Sequence, residues 1–335
     1  SCDNGPVRAQ APGRVNLIGD HTDYTGGFVL PMAIDRRTVV ELEFGGKSWE
    51  VASDAEPEPA TIPVEVVDPS SVRPPWARYV AGVLAVVRPR EGGRARITSK
   101  VPVGAGLSSS AALEVSFALA LGFDGTPLAL ALACQRAEHL ASGVPSGVMD
   151  QLASAAGREG HALLIDCRTY EILPVPIPAG VEVIVAHSGQ SRTLVGSAYA
   201  ERRAQCEAAV AVIGPLREAS LDDLAALGDE VVRRRARHVI SENGRVLAFA
   251  DALRGGDLEA AGRLMAESHR SLREDFEVST PALDALVDRL SAVPGVFGAR
   301  LTGAGFGGCV VALAEPETAA EGWRLRPAAG AAVLS

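Results

Sequence analysis

The feature that most constrains this chain is a glycine- and serine-rich loop that leads into an apolar helix, at residues 104–112. Its sequence is GAGLSSSAA, and an apolar run continues to Leu121. Glycines let backbone N–H groups approach an anion closely, serines supply hydroxyl groups and a helix cap, and the positive end of the helix faces the loop. This combination is typical of a phosphate-binding loop.

The loop contains no lysine, which separates it from the P-loop G-x-x-x-x-G-K-[ST], where a lysine reaches the terminal phosphates. The chain has two lysines, Lys47 and Lys100, and neither occupies such a position. A nucleotide would therefore bind here by a different design. The alternative is an ordinary serine-capped helix that follows a glycine turn.

The size and charge of the chain limit the kind of protein it can be. A length of 335 residues predicts two closely packed domains of roughly 150 residues each. The net charge of −9 argues against nucleic acid or an anionic membrane as the main partner, because both require a basic surface. No apolar run approaches the roughly 20 residues that a membrane span needs.

The cysteines are scattered, odd in number and never in C-x-x-C spacing. They are Cys2, Cys134, Cys167, Cys206 and Cys309. Such usage indicates neither a disulfide framework nor a zinc site. We therefore expect a cytoplasmic protein.

The apolar pattern predicts strands and turns in the first third of the chain, followed by helices. We expect strands over 39–44 and 95–101, and we interpret the acidic, proline-rich segment 54–63 as a surface excursion. Helices are expected after the glycine and serine loop, over 127–141, and from a start near Pro145 or Ser146.

A proline-rich passage at 174–178 separates two predicted strands, 162–165 and 181–186. We place the domain boundary there, which divides the chain into residues 1–175 and 176–335. The later predicted helices cover 197–213, 229–254, 257–276 and 281–291. The last predicted strands cover 296–301 and 309–313.

A second motif, APGRVNLIGDHTDY at residues 11–24, concentrates polar groups around a turn at Gly19. These groups belong to Arg14, Asn16, Asp20, His21 and Asp23. Clustered carboxylate, imidazole and amide groups suit a polyhydroxylated ligand, because each buried hydroxyl needs a matched donor and acceptor. A metal site built from Asp20, His21 and Asp23, or a polar surface loop, is the alternative.

Two carboxylates stand at the junction of two predicted helices. Glu138 lies near the end of one helix, and Asp150 lies in the first turns of the next. This placement lets one carboxylate bind Mg²⁺ while the other faces a reacting hydroxyl. As isolated residues, both would more often be solvated helix charges.

The glycine motif GAGFGG at residues 303–308 imitates a dinucleotide-binding fingerprint. A predicted strand follows it instead of a helix, and too little chain remains for a βαβ unit. We interpret the motif as a turn between two strands that lets the backbone approach a neighbouring phosphate site.

In this order and spacing, the motifs resemble the GHMP small-molecule kinases over nearly the whole chain. Residues 13–24 are similar to an N-terminal sugar motif of that family, 102–112 to its ATP loop and 303–308 to its C-terminal glycine motif. Three further segments resemble the members that phosphorylate galactose more than mevalonate or homoserine kinases. They are 162–168, 235–239 and 267–278.

The resemblance implies an α+β, two-domain GHMP kinase fold, with a ribosomal-S5-like N-terminal domain and a ferredoxin-like C-terminal domain. The cleft would bind Mg·ATP beside a monosaccharide, and the γ-phosphoryl group would pass to the anomeric hydroxyl of galactose. Asp150 matches the catalytic aspartate, and Arg14 matches the arginine beside it.

The other binding positions are also implied by the resemblance. Sugar-contacting positions are matched by Asp20, His21, Asp23, Gly147 and Tyr199. Positions around the ATP phosphates are matched by Gly104, Gly106, Ser108, Ser109 and Ser110. The Mg²⁺ ligands are matched by Ser110 and Glu138, and residues near adenine by Trp76 and Tyr79.

The chain departs from the family pattern on the sugar side. Asp20 stands where a glutamate is typical, Thr25 replaces an asparagine, and residues 187–192 replace an asparagine-containing segment. A kinase for another sugar, such as arabinose or N-acetylgalactosamine, is therefore one alternative. A non-catalytic regulator that binds sugar and ATP is a second, and a Rossmann oxidoreductase is a distant third. We expect a monomer or a weak dimer.

Overall fold

The computed structural model describes residues 5–190 and 195–334, including side chains except at 195–197. The strands are β1 (Val7–Asn16), β2 (Phe28–Val29), β3 (Pro31–Gly46), β4 (Ser48–Ser53), β5 (Ala60–Pro63), β6 (Gly92–Ser99), β7 (His161–Asp166), β8 (Ile172–Pro176), β9 (Glu182–His187), β10 (Val296–Thr302), β11 (Cys309–Ala314), β12 (Trp323–Leu325) and β13 (Ala332–Leu334). The helices are α1 (Ala77–Val87), α2 (Ser109–Ala120), α3 (Pro127–Ser142), α4 (Met149–Ala156), α5 (Val195–Ile213), α6 (Glu230–Gly255), α7 (Leu258–Glu274) and α8 (Pro281–Ser291).

The first sheet has six strands in the order β13-β1-β3-β6-β4-β5, and only the β4–β6 pair in it is parallel. Helices α2 and α4 contact its central strands β1 and β3, and α1 and α3 pack against one another beside α2. The core of this half consists mainly of alanine, valine, leucine and isoleucine side chains, among which Trp49 and Phe117 are fully buried. The phosphate-type loop therefore leads into a helix that is anchored on the middle of a sheet.

The second half is built on an antiparallel sheet in the order β10-β11-β9-β12. Every residue of β11 is buried, which requires cover on both faces of the sheet. Helices α7 and α8 pack against β10. A small third sheet, β2-β7-β8, contacts α6, and so joins the two halves. Strands and helices are mixed in the way expected of the α+β class.

Two proline-containing segments contradict the expectations from sequence. Segment 54–63 was expected to be a surface excursion, but it contains β5, where buried Ala60 and Ile62 alternate with exposed neighbours. The passage 174–178 includes part of β8, which pairs with β7 through Pro174 and Pro176. Both strands lie at sheet edges, where a proline breaks no ladder hydrogen bond.

Other boundaries also differ from the prediction. Helix α4 begins at Met149 instead of near Pro145 or Ser146, and α1 was not predicted. Strand β13 pairs with β1, so the end of the predicted second segment returns to the first sheet. The division at residues 175 and 176 stays a prediction. Cys134, Cys167, Cys206 and Cys309 are buried, whereas Cys2 lies outside the described residues. Within the described chain, no helix has the length and apolar character to cross a bilayer.

Candidate active site

The glycine and serine loop borders a cavity of about 530 Å³ at the N-terminus of α2. Gly104 and Gly106 have positive φ angles of 74° and 76°, a conformation that glycine adopts without steric cost. The cavity brings together all residues predicted for the ATP, metal and catalytic sites. They are Arg14, Trp76, Tyr79, Gly104, Gly106, Ser108, Ser109, Ser110, Glu138 and Asp150.

Ser108 does not serve as the helix cap that the sequence predicted. It occupies the cap position of α2 with a left-handed φ of 56°, and its side chain makes no capping hydrogen bond. Its hydroxyl instead donates to Oδ2 of Asp150 at 2.5 Å. The loop is thereby joined directly to the Asp150 carboxylate, which also lines the cavity.

Arg14 and Asp150 form a two-pronged ion pair on the cavity wall. Arg14 Nε donates to Oδ1 and Nη2 to Oδ2 of Asp150, both at 2.7 Å. The remaining nitrogen, Nη1, donates to the Gly106 carbonyl at 2.7 Å. The arginine side chain is 5% exposed, whereas that of Asp150 is 27% exposed. Arg14 is therefore a fixed support, and the aspartate keeps an open side toward the cavity.

The close approach of β1 to the loop explains the glycine that precedes Arg14. A Cβ atom at Gly13 would lie 2.6 Å from the Leu107 carbonyl oxygen, and Arg14 N–H donates to that same oxygen at 3.0 Å. Any larger residue would push β1 away from the loop. The sugar motif and the ATP loop are thus joined through backbone contacts at this point.

Glu138 is held beside the N-terminus of α2, next to Ser110. Ser110 Oγ donates to Glu138 Oε1 at 3.2 Å, and Ser146 Oγ donates to Oε2 at 2.8 Å. Burial, and then the nearby Asp150 carboxylate, raise the pKa of Glu138. A second negative charge at this place calls for a cation, and the donors present are the hard oxygens that Mg²⁺ prefers.

Gln151 and Glu114 form a buried pair next to Glu138 that the sequence did not predict. Gln151 Nε2 donates to Glu138 at 2.9 Å and to Glu114 at 3.1 Å, and both Gln151 and Glu114 are fully buried. Burial, and then the Glu138 charge, raise the pKa of Glu114 well above its usual range. The available signal was Glu114 itself, the one charged residue of helix α2.

His21 and its ring neighbours form the centre of the sugar motif. Its Nε2 lies 3.1 Å from the Ala304 carbonyl oxygen, and its Nδ1 lies 3.0 Å from the Tyr24 hydroxyl. Because a carbonyl can only accept, Nε2 carries the proton and Nδ1 accepts from the tyrosine. Burial lowers the pKa of His21 to about 4, so the ring is neutral at pH 7. The Tyr199 ring lies 5.4 Å away between centroids.

Asp23 lies close to Asp150 and Gly147. Burial, and then the charge of Asp150, raise the pKa of Asp23 to about 7. A Cβ atom at Gly147 would lie 1.8 Å from Oδ2 of Asp23, so this position has no room for a side chain. The structure therefore brings together sugar-site candidates that lie more than a hundred positions apart in the chain.

Asp20 is engaged by the second half of the chain. Arg300 Nη2 donates to Oδ2 at 2.5 Å, and the Gly303 N–H donates to Oδ1 at 2.9 Å. No group of three His, Cys, Asp or Glu side chains in the described residues is arranged to hold a metal ion. The alternative of a metal site at Asp20, His21 and Asp23 is therefore not supported. Arg300 was missed, although it is a charged residue within a predicted apolar strand.

The glycine motif at 303–308 is a turn between β10 and β11, as the sequence predicted. Its backbone contacts Asp20 and His21 of the sugar motif, and its residues are not among the described residues that line the cavity. The motif thus contacts the segment 11–24 and does not border the cavity at the glycine and serine loop. In the altered segment 187–192, Ser191 and Arg192 lie outside the described residues.

Comparison with known proteins gives a consistent result. Three family models match: the galactokinase galactose-binding signature at residues 2–43, the GHMP kinases N terminal domain at 78–158 and the GHMP kinases C terminal model at 249–324. Human galactokinase is 47% identical over 95% of this chain and 86% of its own length. Galactokinase of Chloroflexus aggregans is 46% identical over 93% of this chain and 85% of its own length.

Solved structures agree on the fold. The crystal structure of Lactococcus lactis galactokinase complexed with galactose matches with a TM-score of 0.90 and 29% identity, over 99% of this chain and 96% of that one. Methanococcus jannaschii mevalonate kinase matches with a TM-score of 0.69 and 20% identity, over 97% and 99% of the two chains. The chain belongs to the galactokinase family of GHMP kinases, and the predicted α+β, two-domain kinase fold is confirmed.

Proposed function

We propose that this protein transfers the γ-phosphoryl group of ATP to the anomeric hydroxyl of galactose. The observation that supports this most directly is the position of Asp150. Its carboxylate is fixed by Arg14 and Ser108, lines the cavity, and is close enough to Glu138 and to Asp23 for its charge to raise the pKa of each. A group in this place can face a sugar hydroxyl and a nucleotide phosphate together.

The residues of the chain account for the chemistry mainly through position and charge. The anomeric oxygen forms a bond to the γ-phosphorus, the bond to the β,γ-bridging oxygen breaks, and ADP leaves. Asp150 accepts or orients the hydroxyl proton, and Arg14 keeps the carboxylate in place and offers positive charge beside the transferring group. The α2 N-terminus and the backbone N–H groups of the glycine loop favour phosphate oxygens.

Ser110 and Glu138 would hold Mg²⁺. Two protein oxygens suit this ion, which usually completes its coordination with waters and substrate phosphates instead of an all-protein cage. When bound, it would neutralise phosphate charge during transfer. Ser146 and Gln151 orient the glutamate for this task through their hydrogen bonds to Oε2.

Substituting Ser110→Ala and Glu138→Gln tests the metal assignment. Each change is expected to weaken the apparent Mg²⁺ affinity by on the order of tenfold or more. Substitution of residues that only support a metal ligand already has effects of this size. The measurements are the Mg²⁺ dependence of the rate and, by calorimetry, the gain in ATP-analogue affinity on adding Mg²⁺. Glu159→Gln, at an exposed carboxylate, is the control. If both active-site variants match it, the metal is held elsewhere.

The activity itself is tested by ADP release with purified protein and a panel of free sugars. Galactose is expected to give the highest kcat/KM, ahead of arabinose and N-acetylgalactosamine. A preference for one of the latter would show a kinase for another sugar. Binding of galactose and ATP without ADP release would show a non-catalytic regulator.

Asp20→Glu tests whether the shortened carboxylate affects sugar choice. The change moves the carboxylate by roughly 1.5 Å, the length of one C–C bond. A direct hydrogen bond from a sugar hydroxyl to this carboxylate cannot keep its geometry after such a shift. We expect the kcat/KM ratios among galactose, 6-deoxygalactose and arabinose to change by a factor of about 2 to 10, the value of one hydrogen bond of about 0.5–1.5 kcal/mol. Asp35→Glu, at an exposed position, is the control. Unchanged ratios would show that Asp20 does not contact the variable part of the sugar.

A further inference from the structure

Arg217, in the connection between α5 and α6, contacts the segment that directly follows the sugar motif. Its guanidinium donates from Nη1 and Nη2 to both oxygens of Asp166, with the Nη2–Oδ2 distance at 2.7 Å. Nη1 also donates to the Gly26 carbonyl at 3.2 Å, and the guanidinium carbon lies 4.1 Å from the centroid of the Phe28 ring. One side chain therefore makes an ion pair, a backbone hydrogen bond and a stacking contact.

The three partners, Gly26, Phe28 and Asp166, lie in or directly beside the segment 23–29. Gly26 ends the 3₁₀ turn Asp23–Thr25 in a left-handed conformation with φ of 70°. Phe28 belongs to β2 and pairs directly with Asp166 in β7. Arg217 thus holds the turn that carries Asp23, the strand that follows it and the strand beside it.

The ion pair has a defined and partly enclosed geometry. The side chains of Arg217 and Asp166 are 14% and 15% exposed. The hydrogen bonds from Arg217 are the main cause of a lowered pKa at Asp166, so the carboxylate stays charged over the physiological range. Bidentate arginine–carboxylate pairs of this kind fix orientation as well as distance.

Other residues of the second half also hold the sugar motif. Asn243 Oδ1 accepts from the Phe28 N–H at 2.8 Å, and Glu242 Oε1 accepts from the Gly19 N–H at 3.1 Å. In contrast, the described residues that line the nucleotide cavity all lie between positions 14 and 150. Residues after position 176 therefore contact the segment that contains Asp23, whereas none of them is among the described residues that line the cavity.

We propose that Arg217 is a positioning residue for the sugar, which sets the conformation of the Asp23 turn from the second half of the protein. The inference rests on the proposed function, in which Asp23 contacts galactose. Loss of the Arg217 contacts is expected to weaken sugar binding and to leave nucleotide binding nearly unchanged. Among the described residues, none that lines the cavity contacts Arg217.

The test compares Arg217→Ala with Arg168→Ala in the full chain. Arg168 pairs with Glu218 and links the same two segments, but both side chains are more than half exposed, at 51% and 59%. By calorimetry without nucleotide, Arg217→Ala should weaken galactose binding by on the order of tenfold. A shift of about 1 Å in a positioned group is enough for effects of this size. KM for galactose should rise in parallel, and KM for ATP should stay within about twofold, below the effect of one hydrogen bond lost. Arg168→Ala should resemble the wild type, and Arg217→Lys should fall between.

Asp166→Asn provides a second route to the same question if Arg217→Ala fails to fold. It removes the paired charge but keeps the Oδ1 atom that accepts from the Arg168 and Thr169 N–H groups, so the local turn remains. It should weaken galactose binding in the same direction. Unchanged galactose affinity in folded Arg217→Ala or Asp166→Asn, or an equal loss of galactose and ATP affinity, would overturn the inference. Wild-type protein that binds no galactose would instead overturn the proposed function.

Discussion

Asp150→Asn is expected to lower kcat by on the order of 100-fold or more, the range for loss of general-base assistance. The amide keeps the size of the side chain but removes the charge that faces the reacting hydroxyl. It also places an N–H₂ group where Arg14 and Ser108 now donate to two carboxylate oxygens. Galactose binding should change far less, because the sugar motif makes most of the proposed contacts. Steady-state rates and equilibrium sugar binding are the measurements.

The matched control is Asp251→Asn, a carboxylate on α6 whose side chain is 77% exposed. It should retain wild-type kcat. Circular dichroism and thermal unfolding would establish that both variants fold. Near-normal turnover in Asp150→Asn would contradict the assignment of this residue to the reaction.

Arg14→Met is expected to have the second largest effect, a loss in kcat of about 10²-fold to 10³-fold, as for removal of one preorganised electrostatic donor. Three nitrogen donors are lost together: two to Asp150 and one to the Gly106 carbonyl. The carboxylate and the ATP loop then lose their common support. Arg14→Lys should be intermediate, because an ammonium group keeps the charge but cannot make the two-pronged pair.

Arg8→Met offers a control on the same strand. Arg8 lies in β1, its side chain is 51% exposed, and its contact to Glu41 is 3.6 Å long. Its kcat should match the wild type. If Arg14→Lys and Arg14→Met both keep full activity, the ion pair with Asp150 has no part in the reaction, and its role is confined to stability.

Much of the fold was predictable where the signal is local. Helix α8 begins at Pro281 and ends at Ser291, as predicted, because Thr280 caps it and a proline opens its first turn. Strands β5 and β8 were not predicted, because proline and acidic residues are typical of loops as well as of sheet edges. Helix α1 was missed because residues 80–87 contain no polar residue. Without a repeating pattern of apolar and polar positions, a helix cannot be distinguished from a buried strand.

The sequence by itself determined the family and the chemistry-bearing motifs, since each motif lies within a few consecutive residues whose backbone depends on glycines and local hydrogen bonds. It placed Arg14, Glu138 and Asp150 among the site residues through the resemblance to GHMP kinases. The resemblance also implied that Arg14 lies beside Asp150, although 136 positions separate them. Only the tertiary structure decided the other long-range pairs, such as Asp20 with Arg300 across 280 positions and Asp166 with Arg217 across 51. Such pairing depends on how the sheets and helices pack, and local sequence carries no information about a partner that distant in the chain.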